Sequence, residues 1–385
     1  MAGNQYSHSP DMVHGGETTE KAQPQARASR QKLFKILAIA FGAAAAVALI
    51  ISLSLHFALK PRPSPLPLSS LSPSITKTVS VHGPVIDSNF ADPAFIEVNG
   101  TFYAFATNKY IKPQIGQVNI QIATSTDFAT WNLTGIDALP NTGNWTTQSY
   151  TWAPDVVQVP DGFVMYYSGK HANATGHHCI GAATSANIMG PYEPLPEPVA
   201  CPLPAGAIDP YGFKDFDGRQ YLLYKVDGNS LDSRTSPSNP TPIMLQEVDP
   251  NDGITFVGTP LEILNKGIED GPLIEAPSLA RIVDQATNLP VYVLFYSSNL
   301  FTTKYYDVKY ATSTTGITGP YTKPEQPLLA TGSNDGKLFA PGGLSIGLDG
   351  HRVVFHAGAD PNPANGFVRN MWTGYVNVNN TVVSI

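Results

Sequence analysis

Residues 152–168 have the sequence WAPDVVQVPDGFVMYYS: a tripeptide ending in proline, an apolar stretch, an Asp-Gly turn and an aromatic-rich strand. An Asp-Gly pair between two apolar runs is typical of a tight β-hairpin turn. The same unit occurs four more times after residue 80. Its five tripeptides are Ala91-Asp92-Pro93, Trp152-Ala153-Pro154, Ile208-Asp209-Pro210, Glu275-Ala276-Pro277 and Phe339-Ala340-Pro341.

The spacing of these tripeptides predicts the fold. Their prolines are 61, 56, 67 and 64 residues apart, and short strands alternate with Gly, Pro, Asn and Asp turns between them. A repeat of this length is typical of a propeller blade, and long helical periodicity is absent. The sequence therefore predicts an all-β, five-bladed β-propeller that forms one domain from residue 79 to residue 385.

A second recurring element ends in Ala-Thr-Ser, at residues 120–125, 180–185 and 308–313. We expect each blade to have its innermost strand at the proline tripeptide, then a hairpin, and its outer strand at Ala-Thr-Ser. The innermost strands of a propeller line its axis. Residues at matching positions of the repeat should therefore meet at the axis, although they are far apart in the chain.

The chain before the repeats divides into three parts. Residues 1–35 are polar and end in a basic segment, which predicts a disordered tail. Residues 36–59 contain an uncharged apolar stretch long enough to cross a bilayer, which predicts a transmembrane signal-anchor helix. Residues 60–78 are rich in Pro and Ser and predict a stalk.

Basic residues are more numerous before the apolar stretch than after it, which places the tail in the cytosol and the large domain in the lumen or outside the cell. The sequence thus predicts a single-pass type II membrane protein; the alternative is a protein secreted after cleavage. Two cysteines, Cys179 and Cys201, are expected to form a disulfide in that oxidising compartment. Asn-x-Thr sequons predict a glycoprotein. They begin at Asn99, Asn132, Asn144, Asn173 and Asn379.

Three carboxylates occur in the aligned tripeptides: Asp92, Asp209 and Glu275. Repetition explains the alanines and prolines, but it does not explain acids beside apolar inner strands, where an unpaired charge is costly to bury. The alternative is that Asp-Pro is a common turn dipeptide and that Glu275 continues a locally acidic loop. Matched positions in three repeats favour a shared carboxylate site on the propeller axis.

The blocks around these acids resemble glycoside hydrolase family 43, which includes α-L-arabinofuranosidases, endo-arabinanases and β-xylosidases. The resemblance implies a five-bladed propeller, with Asp92 as general base, Glu275 as general acid and Asp209 as the carboxylate that keeps the acid protonated and oriented. It also implies inversion, for which the acid and base lie roughly 6.5–9.5 Å apart. The resembling blocks are residues 89–93, 152–155, 207–210 and 274–278.

Further residues complete the expected site. Trp152 and Phe339 are expected beside the axis, where an aromatic ring stacks on a sugar or fills the core. Lys225 is expected to pair with a carboxylate or a substrate hydroxyl, or to be a solvated surface lysine. By resemblance, Arg369 corresponds to a substrate-binding arginine. His356 corresponds to a histidine that lies beside a bound ion, often calcium, or a water; a hydrogen-bonded structural histidine is the alternative, and no cofactor is required for the reaction.

The predicted partner is an arabinan, arabinoxylan or xylan chain, besides the membrane that holds the anchor; oligomeric state is left open. A net charge of -7 and the lack of basic runs in the large domain argue against nucleic acid. Two other functions remain: a glycan-binding propeller without turnover, and a fructan-active enzyme that works by retention. The intact set of three acids argues against the first, and the order of the blocks against the second.

Overall fold

The computed structural model describes residues 81–107, 118–173, 176–231, 239–359 and 368–385. All of them belong to one compact unit, Thr78–Ile385. Within these ranges no helix has the length and hydropathy that a membrane span requires. The predicted tail, anchor and stalk, residues 1–78, lie outside the described residues.

The described chain is an all-β propeller of five sheets, which confirms the predicted fold. Each of the first four blades is antiparallel and follows chain order from its innermost strand outward. Two 3-10 turns lie between strands, at Gly228–Leu231 and Ile268–Asp270. The strands of blades one to four are β2 (Ala94–Val98), β3 (Thr101–Ala106), β4 (Gln121–Ser125), β5 (Asn132–Asp137); β6 (Trp152–Val159), β7 (Gly162–Lys170), β8 (His178–Ser185), β9 (Glu193–Pro194); β10 (Ala207–Lys214), β11 (Gln220–Val226), β12 (Ile243–Val248), β13 (Phe256–Leu264); and β14 (Ile274–Val283), β15 (Pro290–Ser298), β16 (Asp307–Ser313).

The fifth blade is closed by the two ends of the domain. Its order is β17, β18, β19 and then β1, so that the first strand forms the outer edge of the last blade. This pairing joins the two ends of the domain within one sheet and so closes the ring of blades. The strands are β1 (His82–Ile86), β17 (Gly342–Ile346), β18 (Arg352–Gly358) and β19 (Arg369–Tyr375), and β20 (Asn377–Asn379) pairs with β21 (Val382–Ser384) in a separate hairpin.

The expectation that Ala-Thr-Ser marks the outer strand holds in blade four, where β16 is the outermost strand, but it is wrong in the first two blades. The Ala-Thr-Ser segments of the first two blades lie on β4 and β8, which are the third strands, and β5 and β9 lie outside them. The added fourth strands are less constrained in sequence because more of their residues are exposed; β5 has four exposed residues of six. The motif therefore marks the buried third strand, where packing against two neighbours restricts the side chains.

Every innermost strand begins with a kink. The residue before the proline has a left-handed backbone in each tripeptide, with φ of 50° at Asp92, 41° at Ala153, 58° at Asp209 and 52° at Ala276. Strand pairing shifts register there, for example between Trp152 and Asp155. Such a residue costs about 1 kcal/mol or more unless its surroundings hold it. The recurring tripeptide is therefore a bulge that turns the chain at the axis.

The predicted tripeptide of the fifth blade is out of register by three residues. In β17 the register shift falls between Gly342 and Ser345, and Gly343, with φ 58°, takes the position that Ala153 has in blade two. Phe339-Ala340-Pro341 lies just before this bulge. Glycine adopts a left-handed backbone without the steric cost that other residues have, so the bulge needs no Ala-Pro motif here.

The blades are held together by apolar side chains from their facing surfaces. Leu223 of blade three, Leu279 of blade four and Leu344 of blade five belong to one buried cluster. Three further clusters fill the other blade junctions. The predicted disulfide between Cys179 and Cys201 is also present, and it joins β8 to the segment that follows the second blade.

Asp155, the residue after the second tripeptide, is buried, with 4% of its surface exposed. Its Oδ2 accepts a hydrogen bond of 2.7 Å from the backbone N–H of Gly212 in the next blade. Burial raises the pKa of Asp155 to about 7. The folded protein thus binds a proton at this carboxyl that the unfolded chain releases near pH 4.

We predict that Asp155→Asn stabilises the protein at pH 8 and has little effect at pH 4. The raised pKa means that stability falls as the pH rises from about 4 to 7, by a few kcal/mol in all. Asparagine keeps an acceptor oxygen for Gly212 and never ionises. Thermal unfolding from pH 4 to 8 measures the effect, with the exposed Asp161→Asn as control. A parallel pH dependence in wild type and Asp155→Asn would contradict it.

Candidate active site

A closed ring of hydrogen bonds joins the five bulges at the axis. In each blade a side chain accepts a hydrogen bond from a backbone N–H in the bulge of the next blade. The acceptors come from four different residue types, yet all the bonds lie between 2.9 and 3.1 Å. The pairs are Thr107 with Ala153, Ser168 with Asp209, Asp209 with Ala276, Ser297 with Gly343, and His356 with Asp92.

This ring brings the three predicted acids together. Asp92 and Asp209 line a small cavity of about 40 Å³ at the centre of the ring, with the tripeptide prolines of the first four blades around it. Glu275 lies next to Asp209, because the residue that follows it, Ala276, donates its backbone N–H to Asp209 Oδ2 at 2.9 Å. The negative charge of Asp92 also raises the pKa of Asp209. The three acids at matching positions of the repeat therefore share one site, although Asp92 and Glu275 are 183 positions apart in the chain.

Asp92 is held as an anion. Arg369 Nη1 donates to its Oδ1 at 2.8 Å, and Thr107 Oγ1 donates to its Oδ2 at 2.6 Å. Burial opposes ionisation, but the Arg369 charge and these hydrogen bonds outweigh it and keep the pKa of Asp92 below its usual value of 3.8. A carboxylate in this state can accept a proton from water, as a general base must.

Asp209 is in the opposite situation. Its Oδ2 accepts the backbone N–H of Ala276 at 2.9 Å, but it is buried beside a second carboxylate. Burial first, and then the charge of Glu275, raise the pKa of Asp209 well above 3.8. Two adjacent carboxylates repel each other, which disfavours ionisation of both. The Asp209–Glu275 pair therefore retains a proton that isolated carboxyl groups would release.

Lys225 neutralises part of this negative charge. Its side chain is fully buried, and Nζ lies 3.0 Å from Glu275 Oε2 and 3.0 Å from Asp227 Oδ1. Burial opposes the charged form, but Glu275, Asp227 and Asp209 together raise the pKa of Lys225 above its normal value. Of the three roles expected for Lys225, the structure shows pairing with carboxylates, and burial leaves the ammonium no open side for solvent or for a substrate hydroxyl.

The acidic loop before Glu275 does not add charge to the site. Asp270 is fully buried and forms ion pairs with Lys309, at 3.0 Å, and with Lys323. Lys309 also donates to the carbonyl oxygen of Glu269. These contacts fix the 3-10 turn Ile268–Asp270 just before β14, and so they hold the start of the strand that carries Glu275.

His356 is a structural member of the ring. Its Nδ1 accepts the backbone N–H of Asp92 at 3.1 Å, so the neutral ring carries its proton on Nε2. Burial, and then the charge of Arg369, lower the pKa of His356 to about 3. Nε2 is buried and has no partner among the described groups. A protonated Nε2 suits an acceptor such as a water oxygen, and it does not suit direct ligation of calcium.

The other residues expected to bind substrate, Trp152, Arg369 and Phe339, are partly buried and contact other side chains or backbone of the domain. Trp152 is half-buried at the start of β6 and stacks on His178, with ring centroids 3.6 Å apart. Arg369 binds Asp92 and lies 5.0 Å from the ring of Phe301. Phe339 is half-buried, and its ring packs closely on Gly358. Across the described ranges, no three His, Cys, Asp or Glu side chains are grouped to hold a metal ion.

Thr107, Ser168, Ser297 and Tyr306 are residues of the site that the sequence did not predict, whereas His356 was predicted. Thr107, Ser168, Ser297 and His356 all lie at the end of the second strand of a blade, where they reach the neighbouring bulge. A signal for them exists: in four blades this position directly follows an aromatic residue, as in Tyr167-Ser168, Tyr224-Lys225, Tyr296-Ser297 and Phe355-His356. Tyr306, whose hydroxyl bonds Glu275, lies in a loop without such a repeat.

A five-bladed propeller with a partly neutralised carboxylate triad on its axis has the architecture of a glycoside hydrolase. The family model for glycosyl hydrolases family 43 matches residues 81–375, and the chain belongs to this family. It is 28% identical over 178 residues to extracellular endo-α-(1→5)-L-arabinanase 2 of Bacillus subtilis (strain 168), covering 39% of this chain and 34% of that protein. The chain thus spans about a third of the length of this curated relative.

Solved structures show the same fold. A thermostable family-43 glycoside hydrolase superposes with a TM-score of 0.61 at 21% identity, covering 77% of this chain and 92% of that one. An endo-1,4-β-xylanase from Bacteroides thetaiotaomicron superposes with a TM-score of 0.57 at 25% identity, covering 78% and 96%.

We predict that Lys225→Met lowers the free energy of unfolding by about 3 kcal/mol or more, because it leaves Glu275 and Asp227 buried without their counter-ion. Urea denaturation at pH 7 measures this loss. Lys214→Met, at an exposed position in the same blade, should change stability by less than about 0.5 kcal/mol. Equal stabilities of the two variants would contradict the buried ion-pair assignment.

Proposed function

We propose that this protein hydrolyses O-glycosidic bonds in pentose-containing polysaccharides or oligosaccharides, with inversion at the anomeric carbon. The observation that carries the proposal is the difference in surroundings of two aspartates at matched positions: Asp92 is paired with Arg369 and Thr107, whereas Asp209 is buried beside Glu275. These surroundings favour the anion at Asp92 and raise the pKa of Asp209. Hydrolysis of a glycoside with inversion requires one carboxylate and one carboxylic acid at a single site.

In this mechanism Asp92 is the general base. Its carboxylate removes a proton from a water molecule as the oxygen attacks the anomeric carbon, and Arg369 and Thr107 keep the carboxylate oriented. Glu275 is the general acid and gives a proton to the departing oxygen. Asp209 shares the proton of the pair and keeps it available for Glu275. Membership of the family supports inversion, which requires room for the water between base and acid.

We propose an arabinan or an arabinose side chain as the substrate, ahead of xylan. The curated relative is an endo-arabinanase, which supports arabinan, while the similarity to an endo-xylanase keeps xylan as the second candidate. Trp152 supports a sugar-binding role because its indole ring is only half-buried, next to Ala153 of the axial cavity, and its stack on His178 holds the ring in place. Aromatic faces of this kind stack on sugar rings.

The activity test uses linear arabinan, p-nitrophenyl α-L-arabinofuranoside, p-nitrophenyl β-xyloside and xylan. We predict turnover of at least one of them, and a loss of about 10³-fold for Asp92→Asn and for Glu275→Gln on the polymer. Asp161→Asn, an exposed turn residue, should keep full activity. Proton NMR of the first product identifies its anomer. A retained configuration would exclude the inverting mechanism, and wild-type inactivity on all four would exclude the function.

We propose further that the enzyme is a type II membrane glycoprotein with its propeller outside the cytosol. The apolar stretch at 36–59 and the disulfide support this, and all five sequon asparagines are exposed in the structure. The extracellular location named for the curated relative agrees with it.

We predict that the full chain, expressed in eukaryotic cells, stays with membranes after alkaline carbonate extraction. Peptide N-glycosidase should increase its electrophoretic mobility, because sequons in the secretory pathway carry N-glycans. A variant without residues 36–59 is the matched control and should lose the membrane attachment. Carbonate release of the full chain, or no change in mobility, would refute the anchor or the glycans respectively.

A further inference from the structure

Glu275 is held by a second donor besides Lys225. The hydroxyl of Tyr306 donates to Glu275 Oε1 at 2.8 Å, while Lys225 Nζ donates to Oε2 at 3.0 Å. The two donors come from different elements, Lys225 from β11 of blade three and Tyr306 from the loop between β15 and β16. Both carboxyl oxygens of Glu275 are thus fixed, and the plane of the carboxyl group is defined.

Tyr306 is itself placed with little freedom. Its side chain is 2% exposed, and its ring lies so close to Gly342 that an added Cβ there would come within 2.0 Å of Cε1. On the other side the ring is nearly parallel to His356, at 6.0 Å and 9°. Because His356 accepts the backbone N–H of Asp92, Tyr306 packs between the residue that positions the base and the acid itself.

The Tyr306 hydroxyl stays protonated at neutral pH and therefore remains a hydrogen-bond donor to Glu275. Burial, and then the charges of Glu275 and Asp92, raise the pKa of Tyr306 well above 10. A phenol that stays protonated stabilises the carboxylate form of Glu275 more than the carboxylic acid form, because a charged acceptor makes the stronger hydrogen bond.

We propose that Tyr306 is the positioning residue of the general acid: it orients the carboxyl of Glu275 and stabilises the negative charge that forms as Glu275 gives its proton to the leaving oxygen. The inference rests on the proposed function. No bond to Tyr306 is made or broken, and its proton stays on the phenol oxygen. The role matters most where the leaving group needs protonation, and little where it departs as a stable anion.

The test compares Tyr306→Phe with wild type on two substrates with the same sugar, an unactivated arabino-oligosaccharide and the 2,4-dinitrophenyl glycoside. We expect kcat to fall about tenfold on the first and less than threefold on the second. The alkaline limb of kcat/KM should move to higher pH, because the carboxylate is no longer stabilised by the phenol. Tyr305→Phe, at a 65% exposed neighbour, is the matched control and should change neither.

Equal losses on both substrates, or an unmoved alkaline limb, would overturn the proposal. A second measurement separates it from the proposed function. Carbon-13 NMR of labelled carboxyl groups, with Glu275→Gln for assignment, follows proton release from the acid cluster without any substrate. Proton release should move to higher pH in Tyr306→Phe but not in Tyr305→Phe. If wild type hydrolyses no pentoside, the function fails, and this titration still decides whether Tyr306 controls the acid.

Discussion

The left-handed bulge at the start of each innermost strand is the constraint on which the hub depends. A non-glycine residue in this conformation is strained, and its N–H points away from its own sheet, so it needs an acceptor from elsewhere. The preceding blade supplies one in every case, and the five bonds close into a ring because the last blade reaches the first through His356 and Asp92. The same five hydrogen bonds therefore hold adjacent blades together and fix the bulges that carry the acids.

The three acids occupy two different positions in the bulges. Asp92 and Asp209 are themselves the left-handed residues of their bulges, and Glu275 precedes the left-handed Ala276. The same backbone feature thus directs three carboxyl groups toward the axis from two different positions. Buried charges are costly, and the ring alone would not hold them. Arg369 on one side and Lys225 on the other supply the counter-charges.

Identical positions in the repeat give opposite chemistry. Asp92 and Asp209 have the same residue type, the same backbone conformation and the same N–H bond to the preceding blade. Their partners differ: Asp92 faces a guanidinium and a hydroxyl, whereas Asp209 faces another carboxylate. The pKa values therefore move in opposite directions, down for Asp92 and up for Asp209. The direction of each pKa shift is thus set by the neighbours of the carboxyl group and not by its position in the repeat.

The sequence by itself determined the five repeats, the all-β fold and the three acids at the axis, because each follows from local periodicity or from matching positions in a repeat. It also determined the disulfide, because Cys179 and Cys201 are the two cysteines of the chain. Only the tertiary structure decided the register of the fifth blade, where glycine makes the bulge without the motif, and the pairing of β1 with β19. It also decided that Lys225 is buried and that His356 and Tyr306 support the acids. The contact between His356 and Asp92 joins residues 264 positions apart, and no local pattern records which side chains a closed ring brings into contact.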